Sequence, residues 1–198
     1  YGELLGQEVY LKSYMKGLNS PASNKAGVIN LVEKTEENKW ALEAIDINYK
    51  YEESKDLIFE GLNLKILNGK HTVIQGDNGS GKSTLIGLLA GIYTPDKGQI
   101  NQYKKVFGYV GPIPLLFEDT LRNNIQYGLE ENVKDEIIIQ KLMDFKVFKD
   151  SAGVLERIIS SKTLSSGQMQ KISYIRAILN NPDVLFLDEA TANLDKDS

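Results

Sequence analysis

The 198-residue sequence has no cysteine, one histidine, one tryptophan and five prolines. Without cysteine it can form no disulfide, thiolate-bound zinc site, iron–sulfur cluster or thiol nucleophile. A single imidazole leaves few metal sites. No run approaches the roughly 18 consecutive apolar residues that a membrane-crossing helix needs. The first residues, Tyr1-Gly2-Glu3-Leu4-Leu5-Gly6, also lack the basic-then-apolar order of a signal peptide. Charge of either sign is modest: 23 Lys plus Arg against 27 Asp plus Glu leave a formal charge of −4. There is no basic footprint for tracking phosphates along a polynucleotide, so nucleic acid is not expected as a partner. What remains, with 41% hydrophobic residues, fits one ordinary globular domain plus an appendage, large enough to hold a core without covalent staples.

Residues 1 to 40 differ from the rest. Leu4, Leu11, Met15 and Leu18 recur near helical spacing, and Asn19-Ser20-Pro21 reads as a stop, a cap and a first-turn proline, so two helices are expected there. They are read either as a peripheral pair packed on the main domain or as the end of a longer helix entering from a preceding domain. From Ala41 the pattern turns β. Leu42, Ile45, Ile47 and Tyr49 form one run, Leu62–Ile66 alternates cleanly, and Asn68-Gly69 is a turn signal. His71–Gln75 predicts a short strand leading into a glycine-rich loop, and Ser83–Ala90 predicts a helix closed by Gly91. Further strands are expected at 106–110 and 184–187, and helices at 120–126, 135–148 and 165–180. Strands alternating with helices imply an α/β domain with a parallel sheet.

Three motifs carry chemistry. Gly76-Asp77-Asn78-Gly79-Ser80-Gly81-Lys82-Ser83-Thr84 fits G-x-x-x-x-G-K-[ST] between the predicted strand and helix. Glycines let backbone N–H groups turn inward around an anion, the helix start adds positive partial charge, Lys82 adds a full charge, and the Ser83 hydroxyl can ligate magnesium. Val184–Leu187 followed by Asp188-Glu189 places two carboxylates at the carboxyl end of a buried strand, where α/β folds bind ligands. Asp188 there suits the magnesium shell and Glu189 suits a general base acting on water; a solvated acidic turn is the plainer reading. Leu164-Ser165-Ser166-Gly167-Gln168 is a donor-rich helix start, readable as a second phosphate contact or as a helix cap.

Together and in this order, these motifs resemble the ATP-binding cassette (ABC) ATPase domains. The phosphate loop, the signature Leu164–Gln168, the Asp188-Glu189 strand and Ala192-Asn193-Leu194-Asp195, similar to the family's D-loop, all fall within residues 41–198. The resemblance implies a P-loop NTPase fold with a mostly parallel sheet, an N-terminal antiparallel β subdomain and a helical signature subdomain. It also implies ATP and Mg²⁺, ATP hydrolysis, and a head-to-tail dimer in which Ser165, Gly167 and Gln168 of one domain, with Asp195, complete the ATP site of another. An adenine-stacking aromatic is implied at Tyr51, with Tyr49 as its rival. Pro114–Ile125 resembles the exporter branch after the Q-loop. Residues 1–40 would then be a helical linker from a membrane domain, and the domain would lie on the cytoplasmic face. The chain is expected to be a segment of a longer polypeptide whose C-terminal part follows the D-loop, because the first residue is not Met and the family's switch histidine would lie further on. A soluble ABC ATPase unlinked to transport, or an ATP-binding regulatory module without turnover, are the alternatives. The chain departs from the family at Pro112, where a Q-loop glutamine is usual, and at Ser166, where the signature usually has glycine.

Overall fold

A computed structural model describes residues 26–32, 39–129, 131–150 and 152–189. They fall into two compact units, divided between Lys105 and Val106.

The first unit is built on a four-stranded sheet in the order β1-β4-β2-β3, from β1 (Val28–Leu31), β2 (Trp40–Tyr49), β3 (Phe59–Leu67) and β4 (Lys97–Gln102). β2 pairs antiparallel with both β3 and β4, with Leu42 opposite Ile66 on one side and Gln102 on the other. β1 pairs parallel with β4. Alternation drives this arrangement: Leu42, Ala44, Ile47 and Tyr49 point into the core, at 0–3% exposure, and burying each such aliphatic side chain is worth about 1.5–3 kcal/mol. Asp46 interrupts the alternation in a left-handed conformation (φ 51°). The register of β2 shifts there against both neighbours, as at a bulge. Gly98 (φ 86°) meets the bulge so closely that a Cβ would lie 2.3 Å from the Asp46 carbonyl oxygen. Helix α1 (Lys82–Leu89) ends at Gly91, which takes φ 79° as a left-handed terminus requires.

Two expectations for this unit need correction. Within the stretch expected to be helical, Val28–Leu31 is a strand, stabilised by pairing with β4, a partner about seventy residues away that no local pattern announces. Residues 1–25 and 33–38 lie outside the described residues, as do 190–198, with Asp195 and the D-loop stretch. His71–Gln75 carries no strand pairing, and Val73 is 77% exposed. A strand exists only as one side of a ladder, and no described residue supplies the other side to this segment. The expected N-terminal antiparallel β ladders are present in this unit, whose sheet is mixed rather than mostly parallel. Its β1–β4 ladder is parallel, while β2–β3 and β2–β4 are antiparallel.

In the second unit β5 (Phe107–Val110) pairs parallel with β8 (Val184–Leu187), placing Tyr109 opposite Phe186. β6 (Asp119–Thr120) pairs antiparallel with β7 (Ile158–Ile159). Helices α2 (Leu121–Gln126), α3 (Asp135–Asp144) and α4 (Ser166–Leu179) gather around a core of Leu121, Ile125, Ile138, Leu142, Ile172 and Ile175. The Thr120 hydroxyl caps α2 by accepting from Asn123 N. Asn124, fully buried, closes the preceding turn through Phe117 N and the carbonyls of Phe117 and Thr120. Arg122 ties α2 to α3 and to the 3₁₀ turn at Val154–Glu156 through Asp135 and Glu156. The helices expected at 120–126, 135–148 and 165–180 are thus present with slightly shorter ends.

Candidate functional site

The glycine-rich loop opens α1, and residues 75–80 are exposed along their whole length. Gly79 (φ 81°) and Gly81 (φ 90°) occupy the left-handed region, as turning successive N–H groups to one side demands. Lys82 folds back over the loop, its Nζ donating to the carbonyls of Gly76 (3.0 Å) and Asp77 (2.8 Å). Its charge is therefore held above the loop rather than trailing into solvent. Ser83 is exposed at the helix start. Thr84 is 5% exposed, and its hydroxyl lies 2.8 Å from the Tyr51 hydroxyl. Gly81 also seats the loop against the β3 edge, since a Cβ there would fall 2.8 Å from Ile58 Cγ2 and 3.1 Å from Phe59 Cζ. Gly81→Ala is expected to lower unfolding free energy by about 1–3 kcal/mol, from positive-φ strain plus this overlap, as measured by urea titration. Parental stability would mean that the loop accommodates a side chain.

Tyr51 stands over this loop as part of an aromatic trio. Its ring lies edge-on to Tyr49 (5.4 Å) and Tyr93 (5.8 Å), and Tyr49 and Tyr93 are 5.8 Å apart. Tyr49 is 3% exposed, and its burial pushes the phenol above its ordinary range; Tyr51 is 41% exposed. Of the two tyrosines, Tyr51 is the one a planar ligand can reach. Tyr93, whose ring completes the trio from the segment after α1, carried no signal in the sequence.

In the second unit, Asp188 follows β8 with 3% exposure; its N–H donates to Val110 O (2.9 Å), and Tyr109 Oη donates to its Oδ2 (3.3 Å). Glu189 is exposed and left-handed, with φ 50°. The two adjacent carboxylates thus differ in both exposure and backbone conformation. Ser83 in the first unit and Asp188 in the second are each, taken separately, hard oxygen donors of the kind Mg²⁺ accepts.

The signature resolves into a capping box at the start of α4. The Ser165 hydroxyl accepts from Gln168 N (3.2 Å), and Gln168 Oε1 accepts from Ser165 N (3.0 Å). Gln168 Nε2 continues to Val147 O at 3.0 Å. The Gln168 amide is thus occupied within the unit at both ends, which makes it a brace for the helix start. The Ser165 hydroxyl accepts one bond and retains a proton to donate. Gly167 lies in the first turn of a 14-residue helix, where N–H groups lack intrahelical partners.

A family profile described as ABC transporter matches residues 59–192. "ABC transporter B family member 26, chloroplastic" of Arabidopsis thaliana is 34% identical over 175 residues, covering 79% of this chain and 25% of that protein. "ATP-binding cassette sub-family B member 5" of Homo sapiens is 31% identical over 182 residues, covering 83% of this chain and 14% of that protein. The chain therefore spans a quarter or less of these relatives. A solved structure described as a bacterial Atm1-family ABC exporter with ATP bound shares the fold, with a TM-score of 0.73 at 23% identity over 85% of this chain and 33% of that one. With the profile spanning well over half of its residues and every motif within that span standing in order, the chain belongs to the ABC transporter family.

Proposed function

We propose that this chain is the nucleotide-binding domain of an ATP-driven exporter, hydrolysing ATP between two such domains set head to tail and lying on the cytoplasmic face beside a membrane domain. The observation that carries this reading is the exposed glycine loop with Lys82 clasped over it at the start of α1. Loop N–H groups from Gly76 to Ser83 and the Lys82 ammonium bind the phosphates. Ser83 and Asp188 would be the residues to hold Mg²⁺, and the ion would supply charge neutralisation for phosphoryl transfer. Glu189 polarises the attacking water. Ser165 and Gly167 donate to the nucleotide of the opposing domain, with Gln168 acting through the capping box and Asp195 contributing from the D-loop. Residues 1–25 belong to the connection from the membrane domain.

Family membership supports the ATPase assignment, and relatives named for the B family of ABC transporters support the exporter branch. The test is Mg²⁺-dependent ATPase activity of the full polypeptide in lipid. Absence of turnover with intact ATP binding would favour a regulatory module instead. Adenine stacks on Tyr51, so Tyr51→Ala is expected to weaken ATP binding by about 1–3 kcal/mol, by analogy with base stacking on aromatic rings. A nucleotide titration reads this, and Tyr51→Phe should keep most of the affinity. Equal loss in both variants would make the Thr84 hydrogen bond, rather than the ring, the contributor.

A further inference from the structure

The segment after β5, Gly111-Pro112-Ile113-Pro114-Leu115, has only three N–H groups in five residues because its prolines have none. With so few donors it makes no ladder of its own, and any of its carbonyls shielded from water need partners from elsewhere. Both end carbonyls are taken by side chains of α4. Gln170 Nε2 donates to Gly111 O at 3.2 Å, and Arg176 Nη1 donates to Leu115 O at 2.9 Å. Arg176 Nε also donates to Asn124 O at 2.8 Å, and its guanidinium lies 5.8 Å from the Tyr127 ring centre. Between the two anchors Ile113 stands 82% exposed at the apex.

Burial pulls the Arg176 guanidinium down to about 10. Its hydrogen bonds run to the carbonyl oxygens of Asn124 and Leu115. A buried cation is costly to hold this way; what it offers in return is a planar fork whose donors reach two separate chain segments at once, which an ammonium does not match. The same seam contains Gln170 Oε1, Ser173 Oγ and Arg176 Nη2, all buried without a hydrogen-bond partner, at every third position along α4. Polar atoms left spare in such a seam are where ordered water commonly binds.

We propose that Gln170 and Arg176 are positioning residues that hang the Gly111–Leu115 strap from α4, so that strap and helix move as one body and displacement of the signature end reaches the Ile113 apex. The link to nucleotide rests on the proposed function; the tie itself does not. Glutamine, the usual family residue at the Pro112 position, would leave the strap free to bend. Here the two prolines stiffen the span and the α4 side chains hold its ends.

The experiment is hydrogen exchange of the full polypeptide without nucleotide, comparing the parent with Gln170→Met, Arg176→Lys and Ser173→Ala. The bonded amides at the two ends of the strap, Asp188 N–H on Val110 O and Phe117 N–H on Asn124 Oδ1, should exchange at least about tenfold faster, the first in Gln170→Met and the second in Arg176→Lys, with Ile172–Leu179 changing less than about threefold, the pattern of local rather than global opening. Ser173→Ala, in the seam but with its hydroxyl bonded to no strap carbonyl, should keep parental protection. In steady-state assays the two tie variants should lose about fivefold or more in kcat with KM for ATP within about twofold, because the phosphate loop is untouched. Parental strap exchange in both tie variants would overturn the tie, and a loosened strap with parental kcat would overturn its role in transmission. A parent that binds no ATP, or binds it without turnover, would instead defeat the functional reading, while the exchange data still decide the tie.

Discussion

Glu189→Gln in the full polypeptide is expected to lower steady-state ATP hydrolysis by about 10²–10⁴-fold, the range a positioned general base contributes. The amide keeps the size and shape of the carboxylate and is equally able to occupy the left-handed backbone that Glu189 adopts (φ 50°), so folding should be undisturbed. What it loses is the capacity to take a proton from water. Asp188 remains in place behind it, held by Tyr109 and by the Val110 carbonyl, so Mg²⁺ affinity should hold. ATP should then bind without being consumed, and the bound dimer should accumulate, visible by light scattering with ATP and Mg²⁺. Hydrolysis at the parental rate would show that the base lies elsewhere.

Lys82→Ala should weaken Mg-ATP binding by about ten- to a hundredfold, since a hydrogen bond to a charged group contributes about 1.5–3 kcal/mol and each 1.4 kcal/mol is a factor of ten. The backbone N–H donors remain, so binding is not abolished. The substitution also deletes the clasp onto Gly76 O and Asp77 O, which frees the loop and adds to the loss. Lys82→Arg separates the two contributions: it retains the charge, but its larger planar fork fits the clasp poorly. Calorimetric titration is the measurement. Affinity unchanged in the alanine variant would remove the loop from the account of nucleotide binding.

The parts of the molecule that were legible beforehand share a physical character: they are local. Gly76–Thr84 could be read because glycines at positive φ, a lysine and a hydroxyl at the head of a helix are each constrained by neighbours a few residues away. The start of α4 could be read as a cap for the same reason, and the capping box between Ser165 and Gln168 spans a single turn. The ends of α2, α3 and α4 came out within a few residues wherever a cap or a periodic run marked them.

What went unread depends on partners far along the chain. β1 exists because β4 pairs with it, and the failure of His71–Gln75 to form a strand reflects the lack of a ladder neighbour among the described residues rather than any flaw in its pattern. Tyr93 joins Tyr49 and Tyr51 only through folding. Gln170 and Arg176 reach carbonyls 59 and 61 residues away, partners that no residue in their own neighbourhood announces.

The amino-acid sequence by itself determined the chemistry this protein can offer, because the phosphate loop, the carboxylate pair and the donor-rich helix start are specified by residue type and short spacing. Tertiary structure alone decided which of two tyrosines is accessible, by burying Tyr49 and leaving Tyr51 partly open. It also decided that Gln168 braces its helix through the Val147 carbonyl, and that a proline-stiffened strap hangs from the signature helix. Exposure and long-range hydrogen bonding are properties of what surrounds a residue, and only the folded chain supplies those surroundings.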